Sequence, residues 1–76
     1  MKITNRIEID PRVCNGKPVI EGTRIPVSVI LEQVAVGVSW EKVLADYPEL
    51  KQADIQAALF YAKDFIEHSD MRTTYA

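Results

Sequence analysis

The chain has 76 residues, 47 % of them hydrophobic and 26 % charged, enough for one globular domain over 1–76 and too few for a second core. Its formal net charge of −2 disfavours a protein that must neutralise many phosphates. A single cysteine, Cys14, and the lack of a long apolar run exclude an internal disulfide, a signal peptide and a membrane span. They point to the reducing cytoplasm, with no metal or other cofactor expected.

Residues 1–25 are predicted as a short β element broken by turns. Arg6-Ile7-Glu8-Ile9-Asp10 alternates polar and apolar side chains, the period of a half-buried strand, and Pro11 stops it. Asn15-Gly16 is a hairpin signal, because both residues accept the positive φ of a tight reversed turn. Val19-Ile20 and Arg24-Ile25 read as two further extended pieces joined by Glu21-Gly22-Thr23. Strands this short need helices or another chain to lie on.

From Pro26 the period changes to that of a helix. Val27, Ile30, Leu31, Val34, Ala35 and Val38 share one face, with Pro26 suited to the first helical position and Gly37 to the position past the end. Val29 and Val36 point away from that stripe, so this helix is expected to be covered on both sides. Ser39 can cap a second helix from Trp40 to about Asp46, with Glu41 favourably placed in its first turn. A third helix is predicted from about Gln52 to His68, its inward stripe being Ile55, Ala58, Leu59, Ala62, Phe65 and Ile66. Residues 26–68 thus read as a three-helix bundle and 69–76 as a frayed tail. Three helices with a short second one fit a helix-turn-helix outline, and a plain bundle would give the same pattern.

Charge is unevenly spread along this plan. Residues 1–24 hold five basic and three acidic side chains, whereas the remainder holds four basic and eight acidic ones. Contact with an anion is therefore expected from the front of the chain, at Lys17 and Arg24. Arg24 reads equally well as a tie within its own turn, and Arg12 as a solvated cation. Lys51, Gln52 and Gln56 are what the third helix offers for reading bases from its first turns. The rest of its outward face, Ala53, Ala57, Phe60 and Tyr61 with Asp64, suits a protein interface better. Phe60 and Tyr61 also fit a core that wraps round a long helix. Asp54, Asp64 and Glu67 share one helix and read as a solvated acidic face, since a metal nuclease needs carboxylates converging from several elements. Cys14 has no positioned histidine, because His68 lies at the far end of the chain's last helix. No catalytic residue is assigned.

Gly16-Lys17-Pro18 and Gly22-Thr23-Arg24-Ile25-Pro26, followed by Leu31, Gly37, Tyr47-Pro48, Leu50, Asp54-Ile55 and Ala57-Ala58-Leu59, carry a resemblance. The chain resembles, from about Ile7 to Ile66, the bacterial and archaeal family catalogued as domain of unknown function 433. The resemblance implies a mainly α, homeodomain-like helix-turn-helix with an amino-terminal β-strand or hairpin element, often dimeric. It also implies an antitoxin of a type II toxin-antitoxin module, acting beside a toxin of PIN-like ribonuclease fold and binding its own operator DNA. One position departs from the family pattern: Lys51 stands where a Ser or Thr often caps the third helix. An unreplaced cap would cost about 1 kcal/mol.

Self-association is also expected on physical grounds. A domain of this size buries only about 60 % of the surface its unfolded chain exposes, and a second copy is the simplest supplement. Val29, Val36, Ala57, Phe60 and Tyr61 are the candidate interface residues. Three readings stand side by side: an antitoxin, a stand-alone DNA-binding regulator, and a structural dimerisation module.

Overall fold

The computed structural model describes residues 2–68, with the first three of these described by backbone alone. The expected frayed tail, 69–76, lies outside the described residues. Three strands, β1 (Lys2–Thr4), β2 (Ile7–Glu8) and β3 (Val19–Ile20), precede three helices, α1 (Val27–Ala35), α2 (Trp40–Asp46) and α3 (Gln52–His68). The fold is the expected mainly α, three-helix helix-turn-helix with an amino-terminal β element.

The strands form one antiparallel sheet in the order β1-β2-β3. Ile7 faces Ile20, and Glu8 faces Val19. Within the alternating stretch 6–10 the strand spans Ile7–Glu8, and β1 is a strand that the pattern did not announce. The Asn15-Gly16 signal is corrected in one respect. Both residues do take positive φ, 57° and 80°, but they close a 3-10 turn, Cys14–Gly16, within the long β2–β3 connection and not a tight hairpin. Pro11 and Pro18 flank that stretch and lack ladder donors, so no strand can grow up to the turn.

Arg24-Ile25 is not a strand of its own, because the pairing shifts one residue on, to a single bridge between Val19 and Pro26. The Ile20 N–H donates to the Ile25 carbonyl at 3.0 Å and the Thr23 N–H to that of Ile20 at 3.0 Å. Gly22 sits at the tip with φ +80°, in the left-handed region that glycine enters without cost.

Pro26 is the residue before α1 and not its first helical one, with φ −65° and ψ 143°. The Val27 N–H, which would otherwise be orphaned in the first turn, donates to the Pro18 carbonyl at 2.9 Å and ties α1 to the β element. Ser39 caps α2 as expected, its hydroxyl accepting from the Lys42 N–H at 3.1 Å.

The core collects Ile7 and Ile20 from the sheet, Ile25, Val27, Ile30, Val43 and Leu50, and Ile55 and Ala58 from α3. Trp40, Leu44, Tyr47, Leu59 and Tyr61 pack against it, half-buried. Three members of the predicted inward stripe do not: Ala62 is half-buried outside the cluster, and Phe65 is 64 % and Ile66 66 % exposed. The reason is length. At about 1.5 Å rise per residue, α3 is roughly twice as long as α1 and outruns the elements it packs on. Cover on both sides of α1 is not found within the described chain either, since Val36 is 69 % exposed and Val29 is half-buried away from the core cluster. Among the described residues no helix is long and apolar enough to cross a membrane.

Candidate functional site

The start of α3 is held by a carboxylate. Asp54, only 4 % exposed, accepts from the Lys51 N–H at 2.8 Å through Oδ2 and from the Arg6 guanidinium at 2.9 Å through Oδ1. It sits three residues into the helix and reaches back over the first turn, half of a capping box. The N–H that a Ser or Thr at position 51 would take up, that of Asp54, donates instead to the Lys51 carbonyl at 2.8 Å, and an acid stands where the helix dipole favours one. This corrects the reading of Asp54 as part of a solvated acidic face. Asp64 and Glu67 are exposed as expected, with Lys63 reaching them at 3.4 and 3.0 Å. The Glu67 hydrogen bond, and then that of Asp64, holds the Lys63 ammonium above its usual range.

Arg6 is in the left-handed region, φ 69°, which disfavours a residue with a side chain. Two contacts fix it there. Its guanidinium is bound by Asp54, and its carbonyl accepts from the Glu21 N–H at 2.8 Å. The β1–β2 turn, the Glu21 turn and the start of α3 are thus tied at one point.

Beyond this tie, the outer side of α3 carries Phe60, 66 % exposed. Phe60 stands as a ridge between two hollows. One, of about 250 Å³, runs past Asn5, Arg6, Ala53, Ala57, Tyr61 and Asp64; the other, of about 420 Å³, is lined by Trp40, Leu59 and Lys63. Gln56 borders both. On the other side of Tyr61, two further hollows of about 280 and 310 Å³ lie between α1 and α3. Tyr61 is itself half-buried and meets the Phe65 ring at 6.4 Å, tilted by 41°.

The cations divide into two groups. Arg6, Arg12, Lys42 and Lys63 each have a carboxylate partner. Lys17, Arg24 and Lys51 are exposed and make no ion pair among the described residues. Cys14 touches the backbone of both Lys17 and Arg24: its carbonyl accepts from the Lys17 N–H at 3.1 Å and its Sγ donates to the Arg24 carbonyl at 3.3 Å. Lys51 lies apart, at the start of α3. Arg12, read as solvated, forms a two-pronged pair with Asp10, 3.1 Å from Nε to Oδ1 and 3.0 Å from Nη2 to Oδ2. Those bonds and the Arg12 N–H hold the Asp10 carboxyl down at about 2. No cluster of three or more His, Cys, Asp or Glu able to hold a metal ion occurs among the described residues.

Residues 7–62 match the family described as "Protein of unknown function (DUF433)". The chain belongs to the DUF433 family. A crystal structure of a DUF433 member protein from Anabaena variabilis shares its fold, with a TM-score of 0.77 and 38 % identity over 84 % of this chain and 63 % of that one. The uncharacterized protein y4eO of Sinorhizobium fredii is 40 % identical over 53 residues, 70 % of this chain. The chain spans 24 % of the length of that relative.

Seen against the DUF433 match, the candidate residues fall into two sets. Lys17, Arg24, Lys51, Gln52 and Gln56, with Val29, Val36, Ala57, Phe60 and Tyr61, all lie within residues 7–62. Gln56, Ala57, Phe60 and Tyr61 meet around one hollow, whereas Val29 and Val36 line none of the hollows at α3. Exposed Phe65 and Ile66 lie past the matched segment. Periodicity placed them in the core because a helical stripe does not say where the neighbouring elements stop.

Proposed function

We propose that this DUF433 protein is a non-enzymatic antitoxin, which pairs with a second copy of itself and holds a PIN-like ribonuclease toxin. The observation that carries the reading is the apolar surface of α3: among the described residues, three of the four large exposed hydrophobic ones, Phe60, Phe65 and Ile66, stand on that one helix. Exposed aromatic and aliphatic side chains grouped on one element mark a surface meant for protein. The Phe60 ridge with its flanking hollows suits the second copy, and the carboxyl-terminal half of α3 suits the toxin. The toxin and the antitoxin role come from the family resemblance; the surface supports association as such.

The decisive experiment is expression of the adjacent open reading frame with and without this chain. Growth arrest by the neighbour alone, relieved by co-expression and accompanied by co-purification, is the expected result. A neighbour that is harmless alone and does not bind this chain ends the antitoxin reading.

The unpaired cations favour a second role, contact with operator DNA. Lys17 and Arg24 near Cys14, with Lys51 beside Gln52 and Gln56, offer charge that no carboxylate of the described chain neutralises. Binding to the upstream region of its own gene should weaken steeply with salt. Lys51→Glu should lower the slope of log K against log salt by about 1. A slope that Lys51→Glu leaves unchanged removes Lys51 from the contact.

A further inference from the structure

The face of α3 that carries Phe60 is complementary to itself. The hollow of about 250 Å³ beside the ridge runs from Arg6, next to the first turns of the helix, to Asp64, and its floor holds the small side chains of Ala53 and Ala57. Phe60 stands midway along it, four residues after Gln56 and four before Asp64. The two ends differ in charge. At the first, the Arg6 side chain is 37 % exposed and its bond to Asp54 uses Nη1, so the rest of the guanidinium fork can meet a second carboxylate. Lys51, with no ion pair among the described residues, and the positive end of the helix dipole add to that end. At the other end Asp64 is 55 % exposed, and Lys63 approaches it at 3.4 Å, against 3.0 Å for Glu67. A firm charged hydrogen bond is shorter, about 2.7–2.9 Å, so Asp64 is free to take a better donor.

This order of charges selects both the occupant and its direction. When two antiparallel helices are related by a twofold axis at Phe60, position 64 of each lies level with position 56 of the other, beside Arg6. Each Asp64 then meets the second copy's Arg6, and each Phe60 ring sits over the other copy's Ala57. A parallel pair would set Asp64 on Asp64 and Arg6 on Arg6, which is repulsive at both ends. DNA laid on this face would meet Asp64, Glu67 and an aromatic ridge, and no row of cations. Lys17 and Arg24 line no part of the hollow, so they stay open to DNA together with Lys51 and Gln52, whereas Gln56 is withdrawn into the contact. We infer that two copies of this chain pair through antiparallel α3 helices, with Phe60 on the twofold axis and reciprocal Asp64–Arg6 ion pairs on either side of it. The inference rests on the self-pairing part of the reading above, and gives that pairing its face, its direction and its charge contacts.

The test uses the full chain alone. Sedimentation equilibrium gives the dimer dissociation constant of the wild type, Phe60→Asp and Asp64→Lys, each at low and moderate salt. Both positions are exposed, so neither change should disturb folding, which circular dichroism checks. Each variant is expected to weaken the dimer by about tenfold or more, and Asp64→Lys should also remove the weakening by salt that the wild type shows. Direction is read from disulfide trapping in a Cys14→Ser background, where Gln56→Cys and Asp64→Cys proteins are mixed and treated with diamide. The antiparallel pair predicts a 56–64 link between the two proteins, and little linking of either protein to itself, because only the mixed positions come within disulfide reach. If Gln56→Cys and Asp64→Cys each link to themselves instead, the helices run parallel and the inference is wrong. If the wild type is dimeric but both charge variants stay within about twofold of it and no 56–64 link forms, the copies pair through another face; the inference fails while self-pairing stands. A wild type that is monomeric at every concentration removes self-pairing itself.

Discussion

The two halves of α3 are built from similar residues and do opposite things. In the first half Ile55 and Ala58 are wholly buried, and Asp54 is tied to Arg6 and to the Lys51 N–H. In the second half Phe65 and Ile66 are as apolar as Ile55 yet stand in solvent. The same helix is thus a structural strut over its first turns and a free surface over its last. Hydrophobicity sets what a residue favours; the reach of the neighbouring elements sets whether it can be satisfied within one chain.

Substitutions can break or sharpen this contrast. The largest effect is expected from Ile55→Ala, about 3 kcal/mol of lost stability, which should lower Tm by on the order of 15 °C in a domain of this size. Next comes Asp54→Ala, expected to cost about 2 kcal/mol, because it strands the Lys51 N–H and leaves Arg6 strained without its anchor. Urea denaturation measures it, and faster amide exchange at Lys51 should accompany it. Ser39→Ala should cost about 1 kcal/mol through the lost cap of α2, a useful mid-scale reference far from both halves. At the other extreme, Phe65→Ser and Ile66→Ser should each shift stability by no more than about 0.5 kcal/mol while reducing partner binding. A loss several times larger in the isolated protein would mean that the second half of α3 is covered after all.

A last and smaller effect concerns pH. Arg12 holds the folded Asp10 carboxyl at about 2, below its ordinary value of 3.8. The unfolded chain therefore takes up a proton first as the pH falls. The stabilisation by this pair is complete above about pH 4 and is lost as the pH drops through 2. Titration of the Asp10 carboxyl by NMR should show the low midpoint, and Arg12→Ala should return it towards 3.8. An unchanged midpoint in that variant would show that another group lowers it.

Much of this was legible along the chain, and the exceptions share a cause. Ser39 and the Trp40–Asp46 helix, the limits of α3, and the positive φ at Asn15, Gly16 and Gly22 follow from local chemistry: capping hydroxyls, apolar spacing and the lack of a side chain. The paired length of each strand did not, because ladder bonds depend on where another strand lies. Asp54 was read as solvated because its partner, Arg6, is 48 positions away. A pattern sensitive to an acid three residues into a helix, behind a residue that cannot cap, would have flagged it. The hollows around Phe60 and Tyr61 were announced only as an aromatic outer face, without the Trp40 and Arg6 walls that α2 and the β1–β2 turn supply.

The sequence by itself determined the three helices, the Ser39 cap of α2, the turn glycines and the family, since local spacing and turn chemistry carry them. Tertiary structure alone decided that Asp54 is buried and bound to Arg6, and that Phe65 and Ile66 remain outside the core. The physical reason is that burial depends on which distant elements arrive and how far they extend, and local spacing carries no record of either.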